Sequence, residues 1–93
     1  MFFIVLSKKY KKSYKKLIKS GRFSDIKKLE NIINIIASGK HLDEKFQDHD
    51  LNGKMSDYRE CHINSDLLLI YEKNDKEKII SLVVVGNHND LFK

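Results

Sequence analysis

The fold is decided between residues 57 and 85, where the sequence reads DYRECHINSDLLLIYEKNDKEKIISLVVV. Two short polar groups, Asn64-Ser65-Asp66 and Asn74-Asp75-Lys76, divide this stretch and predict turns. The strand-like runs that they separate are residues 57–63, 67–72 and 78–85. Since strands joined by short turns pair in opposite directions, the stretch predicts an antiparallel meander.

Upstream of the meander, the sequence predicts one short strand followed by a helix. Residues 2–6 are aromatic, β-branched or aliphatic, which favours a strand, and Ser7 after them is a suitable helix N-cap. Ser20-Gly21 ends this first helix. Its apolar positions are spaced as on one helical face: Tyr10, Tyr14, Leu17 and Ile18.

A second helix is predicted to open at Ser24-Asp25 and to end at Ser38-Gly39. Its apolar residues recur at helical spacing, and two further isoleucines widen the face that they form: Ile26, Leu29, Ile32, Ile33, Ile35 and Ile36. The chain therefore places two helices between its first strand and the meander.

Two segments without a sustained period complete the predicted fold. Residues 41–54 are expected to form an ordered loop, because Leu42, Phe46 and Leu51 favour packing, and residues 86–92 predict a turn leading into a short helix. The order is β-α-α-β-β-β. This is an α+β fold, an antiparallel sheet with two N-terminal helices packed on one face, and residues 1–93 are expected to form a single domain.

The composition limits the chemistry that this chain can perform. With 93 residues, of which 41% are hydrophobic, it can build one compact core but no large cavity, which argues against most cofactor-dependent enzymes. Its single cysteine, Cys61, allows no internal disulfide and no cysteine-rich zinc site, and favours a reducing compartment. The histidines show no HxH or HxxxH spacing. We therefore expect no metal and no cofactor.

The net charge of +5 is unevenly distributed along the chain. Residues 1–30 carry +8 and the remainder −3, which favours a polyanion as partner, with nucleic acid ahead of an anionic membrane. The alternative is a solvated basic face that keeps a small protein in solution. The apolar residues 2–6 precede the lysines, unlike a signal peptide, and the apolar runs are too short to span a membrane, so a soluble cytoplasmic protein is expected. The candidate nucleic-acid-binding lysines are Lys8, Lys9, Lys11, Lys12, Lys15 and Lys16.

Acid–base chemistry is the use that best fits the histidines of the second half of the chain, His49, His62 and His88. A histidine gains or loses a proton near neutral pH, and phosphodiester transfer needs both a donor and an acceptor. Strand alternation places Glu60 and His62 on one face, about 6–7 Å apart along the strand, with Arg59 on the other. The alternative is a solvated sheet face with a local ion pair.

Five short segments, in their order and spacing, resemble the YafQ branch of the RelE-like toxins, the messenger-RNA endoribonucleases of bacterial toxin–antitoxin modules. The segments are residues 47–49, 51–54, 58–62, 66–71 and 86–92. The resemblance implies a RelE-like fold and metal-independent cleavage of mRNA in the ribosomal A site. It further implies that the 2′-hydroxyl attacks the adjacent phosphorus, leaving a 2′,3′-cyclic phosphate and a 5′-hydroxyl.

Carried over by position, the resemblance implies a catalytic set on the second half of the chain: His49, Glu60, His62, Asp66 and His88. His88 is the preferred general acid for the leaving 5′-oxygen, with Asp66 or His62 as the base, although the roles could be reversed.

The resemblance also implies groups that assist this set. Lys54 and Arg59 are candidates for stabilising charge at the phosphate, and Phe92 matches a terminal aromatic that supports the site or the substrate. Val84 occupies a position where relatives often carry an arginine. Relatives often have tryptophan where this chain has Met55 and Leu67, and we interpret both as core substitutions.

The partners implied by the resemblance are a cognate acidic antitoxin, the ribosome and mRNA. The free toxin is expected to be monomeric and to form a hetero-oligomer with the antitoxin. The alternative function is a non-catalytic RNA- or ribosome-binding module, a degenerate relative that keeps the basic helix, and Val84 is its main support. A purely structural interaction domain has no sequence feature in its favour.

Overall fold

The computed structural model describes residues 1–53 and 57–91. Its strands are β1 (Phe3–Leu6), β2 (His49–Asp50), β3 (Arg59–His62), β4 (Leu68–Asn74) and β5 (Ile79–Gly86). Its helices are α1 (Lys8–Lys19), α2 (Phe23–Ala37) and the short α3 (His88–Leu91), with a single 3₁₀ turn at Glu44–Phe46. No helix in these two ranges is long and apolar enough to cross a membrane. The predicted α+β fold is confirmed.

The five strands form one sheet in the order β1-β5-β4-β3-β2. The predicted meander is present, because β3, β4 and β5 pair antiparallel. The first strand departs from the prediction: β1 lies parallel to β5, with Ile4 opposite Ile80, so the sheet is mixed. Parallel neighbours need a long crossover connection, and here the whole chain between β1 and β5 provides it.

The predicted loop at residues 41–54 contains regular structure in its described part. The 3₁₀ turn is followed by the two-residue strand β2, which pairs antiparallel with β3 and adds an edge to the sheet. Lys54 lies outside the described residues. The register opposes His49 to Glu60 and Asp50 to Arg59, so this segment brings a histidine beside the meander.

Helix α1 is joined to the sheet through its predicted cap. The Ser7 hydroxyl oxygen accepts a hydrogen bond from the Tyr10 amide at 2.9 Å and donates to the Val83 carbonyl at 2.7 Å. Tyr10 and Leu17 are buried, but Ile18, predicted to lie on the same stripe, is 43% exposed. The buried face is centred on Tyr10 and Leu17, which are seven residues apart. Ile18 follows Leu17 by one residue and therefore points about 100° away around the helix.

Helix α2 begins at Phe23, one residue before the predicted opening, and Arg22 precedes it without a side-chain cap. Four of the predicted apolar residues are buried against the core: Ile26, Leu29, Ile32 and Ile36. The helix ends at Ala37, and Gly39 takes a positive φ of +84° two residues later, a conformation that glycine adopts without strain.

The two faces of the sheet have different roles. The helices cover one face, where Cys61, Leu69 and Val85 form a row within the core. The pairing skips Val83, because Ile70 opposes Val84 whereas Tyr71 opposes Leu82. This bulge lets Ile80, Leu82 and Val85 share the core. The next row, Glu60-Ile70-Val84, then lies on the opposite face.

Candidate active site

Glu60 is held between two histidines on the sheet face opposite the helices. The Nε2 atoms of His49 and His62 lie 3.6 Å and 3.4 Å from the same Glu60 oxygen, Oε1. The two imidazole rings are 6.3 Å apart between centroids. Cross-strand pairing supplies His49 from β2, and strand alternation supplies His62 two residues beyond Glu60. Glu60 and His62 share a face as expected, but they form the local ion pair that was the alternative to an open spacing, and His49 joins that pair.

The burial of Glu60 makes this cluster unlike an ordinary surface ion pair. Glu60 is only 6% exposed, whereas the side chains of His49 and His62 are 49% and 27% exposed. A buried carboxylate is costly unless it is paired, and its neighbours in the same row, Ile70 and Val84, are apolar. His62, the nearer and more buried imidazole, is placed to compensate the carboxylate through Nε2, and the exposed edges of both rings remain open to a substrate.

His49 is oriented from both sides of its ring. Its Nδ1 lies 2.5 Å from the carbonyl oxygen of Gln47, so this nitrogen carries the proton and donates it there. Gln47 has a positive φ of 49° and ends the 3₁₀ turn. With Nδ1 so engaged, Nε2 faces Glu60 and is available to accept or donate a proton.

Asp66 and His88 lie at the end of the sheet where His62 is also found. His62 opposes Leu68, and Leu68 opposes Gly86, in one row across three strands. Asp66 precedes Leu68 by two residues and His88 follows Gly86 by two. Both therefore extend beyond the same end of the sheet. An open depression there is lined by Ser65, Asp66, Asn87, His88 and Asn89.

Arg22 is a charged member of this region that the sequence did not indicate. Its Nη2 lies 2.8 Å from Asp66 Oδ1, and its Nε lies 2.7 Å from Asp25 Oδ2. These hydrogen bonds, to Asp66 first and then to Asp25, raise the pKa of Arg22. Asn64 donates to the other Asp25 oxygen at 2.7 Å. The network connects the start of α2 to the β3–β4 turn, a contact across 44 residues that no local pattern could have predicted.

The remaining candidates are placed differently. Arg59 lies in the same cross-strand row as Tyr71 on the helix side, and is not brought to the His49–Glu60–His62 face. Lys54 and Phe92 lie outside the described residues. The six candidate lysines of α1 are all exposed, at positions 8, 9, 11, 12, 15 and 16. Val84 is 5% exposed and shares a row with Glu60, so the position at which the resemblance implies an arginine belongs to the candidate site but is apolar here.

Comparison with known proteins identifies the family. Residues 3–93 match the sequence model of a family described as a bacterial toxin of type II toxin–antitoxin system, YafQ. The chain belongs to the YafQ family. A relative from Escherichia coli K12, the mRNA interferase toxin YafQ, is 30% identical over 86 residues, covering 89% of this chain and 91% of the relative. The resemblance seen in the sequence is thereby confirmed.

Solved structures of the YafQ family and of similar toxins share the fold. A metal-bound toxin from Helicobacter pylori is 40% identical, with a TM-score of 0.89 over 99% of this chain and 100% of that one. YafQ in the E. coli DinJ–YafQ complex is 28% identical, with a TM-score of 0.87 over the full length of both chains. The expected RelE-like architecture is therefore the observed one.

Proposed function

We propose that this chain is an mRNA interferase, the endoribonuclease toxin of a type II toxin–antitoxin system. The observation that carries the proposal is the buried Glu60 carboxylate between His49 and His62 on an open sheet face. Membership of the YafQ family and the name of the E. coli relative, an mRNA interferase toxin, support the same activity. The chain acts in the cytoplasm, where translating ribosomes present the mRNA.

The reaction is an internal phosphoryl transfer. A base takes the proton of the 2′-hydroxyl, the 2′-oxygen forms a bond to the adjacent phosphorus, and the bond from phosphorus to the 5′-oxygen breaks. An acid protonates the leaving 5′-oxygen, so the products are a 2′,3′-cyclic phosphate and a 5′-hydroxyl. The reaction needs two proton-transfer groups on opposite sides of the phosphorus, and imidazoles suit both roles.

His88 is the proposed general acid and His62 the proposed base, with His49 and Glu60 completing the proton-transfer cluster. Asp66 is a weaker candidate for the base, because its Oδ1 already accepts a hydrogen bond from Arg22. That ion pair also brings the positive charge of the Arg22 guanidinium to the end of the sheet. The side chain of Val84, in the Glu60 row, supplies no charge. Stabilisation of the phosphorane by positive charge therefore falls to Arg22, with Lys54 as the other candidate cation and Phe92 as the aromatic that supports the site or the substrate.

Two partners follow from the same proposal. The exposed lysines of α1 bind ribosomal RNA, since a dense row of cations suits a phosphate backbone. A cognate acidic antitoxin neutralises the toxin, as the complex of the E. coli relative with DinJ suggests. The free toxin is a monomer, and the neutralised form is a hetero-oligomer.

Induced expression followed by primer extension on cellular mRNA tests this function. The wild-type chain is expected to arrest growth and to create discrete new 5′ ends that carry a hydroxyl. His88→Ala should abolish both effects. His41→Ala removes another exposed histidine, which borders Asp50 and Arg59 and not the depression that His88 lines, and serves as the control that should still cut. Continued cutting by His88→Ala would contradict the assignment of His88.

The second candidate function, a non-catalytic ribosome-binding module, is favoured by one feature. Val84 leaves the catalytic face without the arginine that relatives often carry, and transition-state charge is usually stabilised by such a cation. The same experiment separates the two functions. A binding module would slow translation without creating new 5′ ends, and His88→Ala would not relieve that effect.

A further inference from the structure

The segment that carries His49 has little backbone structure to hold it. Strand β2 has two residues, lies at the edge of the sheet, and both of its residues are exposed. One further backbone bond, from the Leu51 amide to the Tyr58 carbonyl at 2.9 Å, continues the pairing. An imidazole that transfers protons needs an orientation fixed to within about 0.5 Å. Side chains must therefore supply the rigidity that this short strand lacks.

The two residues that flank His49 are both anchored to Arg59. Its Nη2 lies 3.2 Å from Asp48 Oδ2 and its Nε lies 3.3 Å from Asp48 Oδ1, while its Nη1 lies 2.5 Å from Asp50 Oδ1. The Tyr71 hydroxyl donates a further hydrogen bond to Asp48 Oδ1 at 2.6 Å. The Arg59 guanidinium thus binds the residues on both sides of His49, and the buried Tyr71 binds one of them, Asp48.

This network lies on the helix side of the sheet, away from the reacting face. Tyr71 is 2% exposed and belongs to the hydrophobic core. Arg59 and Tyr71 are directly opposite one another on β3 and β4, whereas Glu60 faces the other side. Neither Arg59 nor Tyr71 is placed to contact a phosphate that is bound at His49 and His62.

Both donors in the network keep their protons. Burial acts against the charged form of Arg59, but its hydrogen bonds to Asp48 and Tyr71 outweigh burial and raise its pKa. Burial raises the pKa of Tyr71, and the hydrogen bond to Asp48 adds to the effect. Hydrogen bonds that involve charged partners are about twice as strong as neutral ones. Both donors are therefore available for these hydrogen bonds at neutral pH.

We propose that Arg59 and Tyr71 are positioning residues for His49, acting through Asp48 and Asp50. By fixing Asp48, they fix the peptide that joins it to Gln47, and the Gln47 carbonyl in turn holds the proton on His49 Nδ1. Loss of the network releases the segment, so that His49 samples the other tautomer and its Nε2 leaves Glu60. The catalytic part of this inference rests on the proposed endoribonuclease function, but the structural part does not.

The test compares Tyr71→Phe with Tyr10→Phe. Both substitutions remove one hydroxyl from a buried tyrosine, but Tyr10 lies on α1 and stacks on Tyr14, away from His49. The first readout is the nitrogen NMR spectrum of the histidine rings in the purified chain. Tyr71→Phe should convert His49 from the Nδ1-protonated tautomer to a mixture, and Tyr10→Phe should leave it unchanged.

The second readout is single-turnover cleavage of mRNA on ribosomes. Tyr71→Phe should lower the maximal rate constant about tenfold at an unchanged half-saturating toxin concentration, because orientation is lost and binding is not. Arg59→Lys should have an equal or larger effect, since an ammonium retains the charge but cannot bridge both carboxylates. In a His49→Ala background, neither substitution should lower the rate further.

The outcomes separate the inference from the proposed function. An unchanged His49 tautomer in both Tyr71→Phe and Arg59→Lys would overturn the inference, whatever the activity. So would a tenfold rate loss that persists in the His49→Ala background, because the network would then act through another group. A shifted tautomer together with full cleavage by His49→Ala would uphold the positioning but remove His49 from the reaction.

Discussion

Glu60 is the residue whose environment is most unusual for its type. Its carboxylate is buried, it contacts two imidazoles through one oxygen, and it lies on the face that holds the proposed chemistry. Strand alternation alone predicted that Glu60 and His62 share a face. It could not predict burial, which depends on the side chains of two neighbouring strands, nor the approach of His49 from a strand of two residues.

Replacing Glu60 with glutamine should slow mRNA cleavage about 10- to 100-fold with little loss of stability. The amide fills the same space but carries no charge, so it no longer pairs with the two imidazoles as the carboxylate does. Rate constants on programmed ribosomes and urea denaturation measure the two effects. Glu72→Gln, on the neighbouring strand β4, is the matched control and should retain the wild-type rate. Unchanged cleavage by Glu60→Gln would show that the carboxylate has no role in proton transfer.

At the scale of elements, the sequence was most informative where local chemistry determines the structure. Ser7 was predicted as a cap and is one, because the interaction spans three residues. The start of α2 was displaced by one residue, since Arg22 offers no side-chain cap and the boundary depends on packing. Strand β2 was not predicted, because two residues show no period. The parallel pairing of β1 with β5 depends on the path of the entire chain.

The substitution Ser7→Ala should destabilise the fold by about 1–2 kcal/mol. It removes a helix cap, and it also removes the hydrogen bond that joins α1 to β5 through the Val83 carbonyl. The free energy of unfolding from urea denaturation measures the loss. Ser24→Ala changes an exposed serine in the first turn of α2, where the sequence had suggested a cap, and should cost less than about 0.5 kcal/mol. Equal losses would mean that neither the cap at Ser7 nor its hydrogen bond to the Val83 carbonyl contributes to stability.

At the scale of the whole molecule, charge and chemistry occupy different halves of the chain. The +8 segment contains α1 and the first half of α2, and the −3 remainder contains the catalytic candidates. Helix α1 packs against β5, however, and its lysines reach the end of the sheet where His88 begins α3. A groove there is lined by Lys9, Lys12, Ser13, Lys16, Val84, Val85 and Leu91. The basic surface and the candidate site are therefore adjacent in space, which the sequence did not reveal.

Neutralising Lys9, Lys12 and Lys16 together should weaken binding to ribosomes and make it less dependent on salt. On single-stranded RNA, each phosphate contact contributes about 0.7 to the steepness with which log affinity falls against log salt. The slope of the triple glutamine variant should therefore be shallower by about 2. Binding at several KCl concentrations measures the slope. The control triple variant at Lys27, Lys40 and Lys76, which are all exposed, removes equal charge elsewhere and should lose less. Equal losses would mean that only net charge matters.

Three buried acids couple the stability of the whole molecule to alkaline pH. Burial raises the pKa of the Cys61 thiol, and the nearby carboxylates of Asp48 and Glu60 add to this effect. Burial likewise raises the pKa of the Tyr10 and Tyr71 hydroxyls. Each group therefore keeps its proton in the folded chain at pH values where the unfolded chain has released it. The stabilisation that results is fully present at pH values below the pKa that the group has in the unfolded chain. It is lost as the pH rises from that value through the pKa of the folded chain.

The free energy of unfolding should accordingly decline from about pH 8.5, the pKa of an unfolded cysteine, and more steeply from about pH 10, where unfolded tyrosines ionise. Each group contributes a slope of at most about 1.4 kcal/mol per pH unit. Urea denaturation between pH 7 and pH 11 measures the decline. Cys61→Ala should lower stability near neutral pH because it leaves a cavity, yet it should delay the onset of the decline to about pH 10, so its difference from the wild type narrows as the pH rises. A wild-type stability that stays constant up to pH 10 would mean that the thiol reaches solvent and ionises within the folded chain.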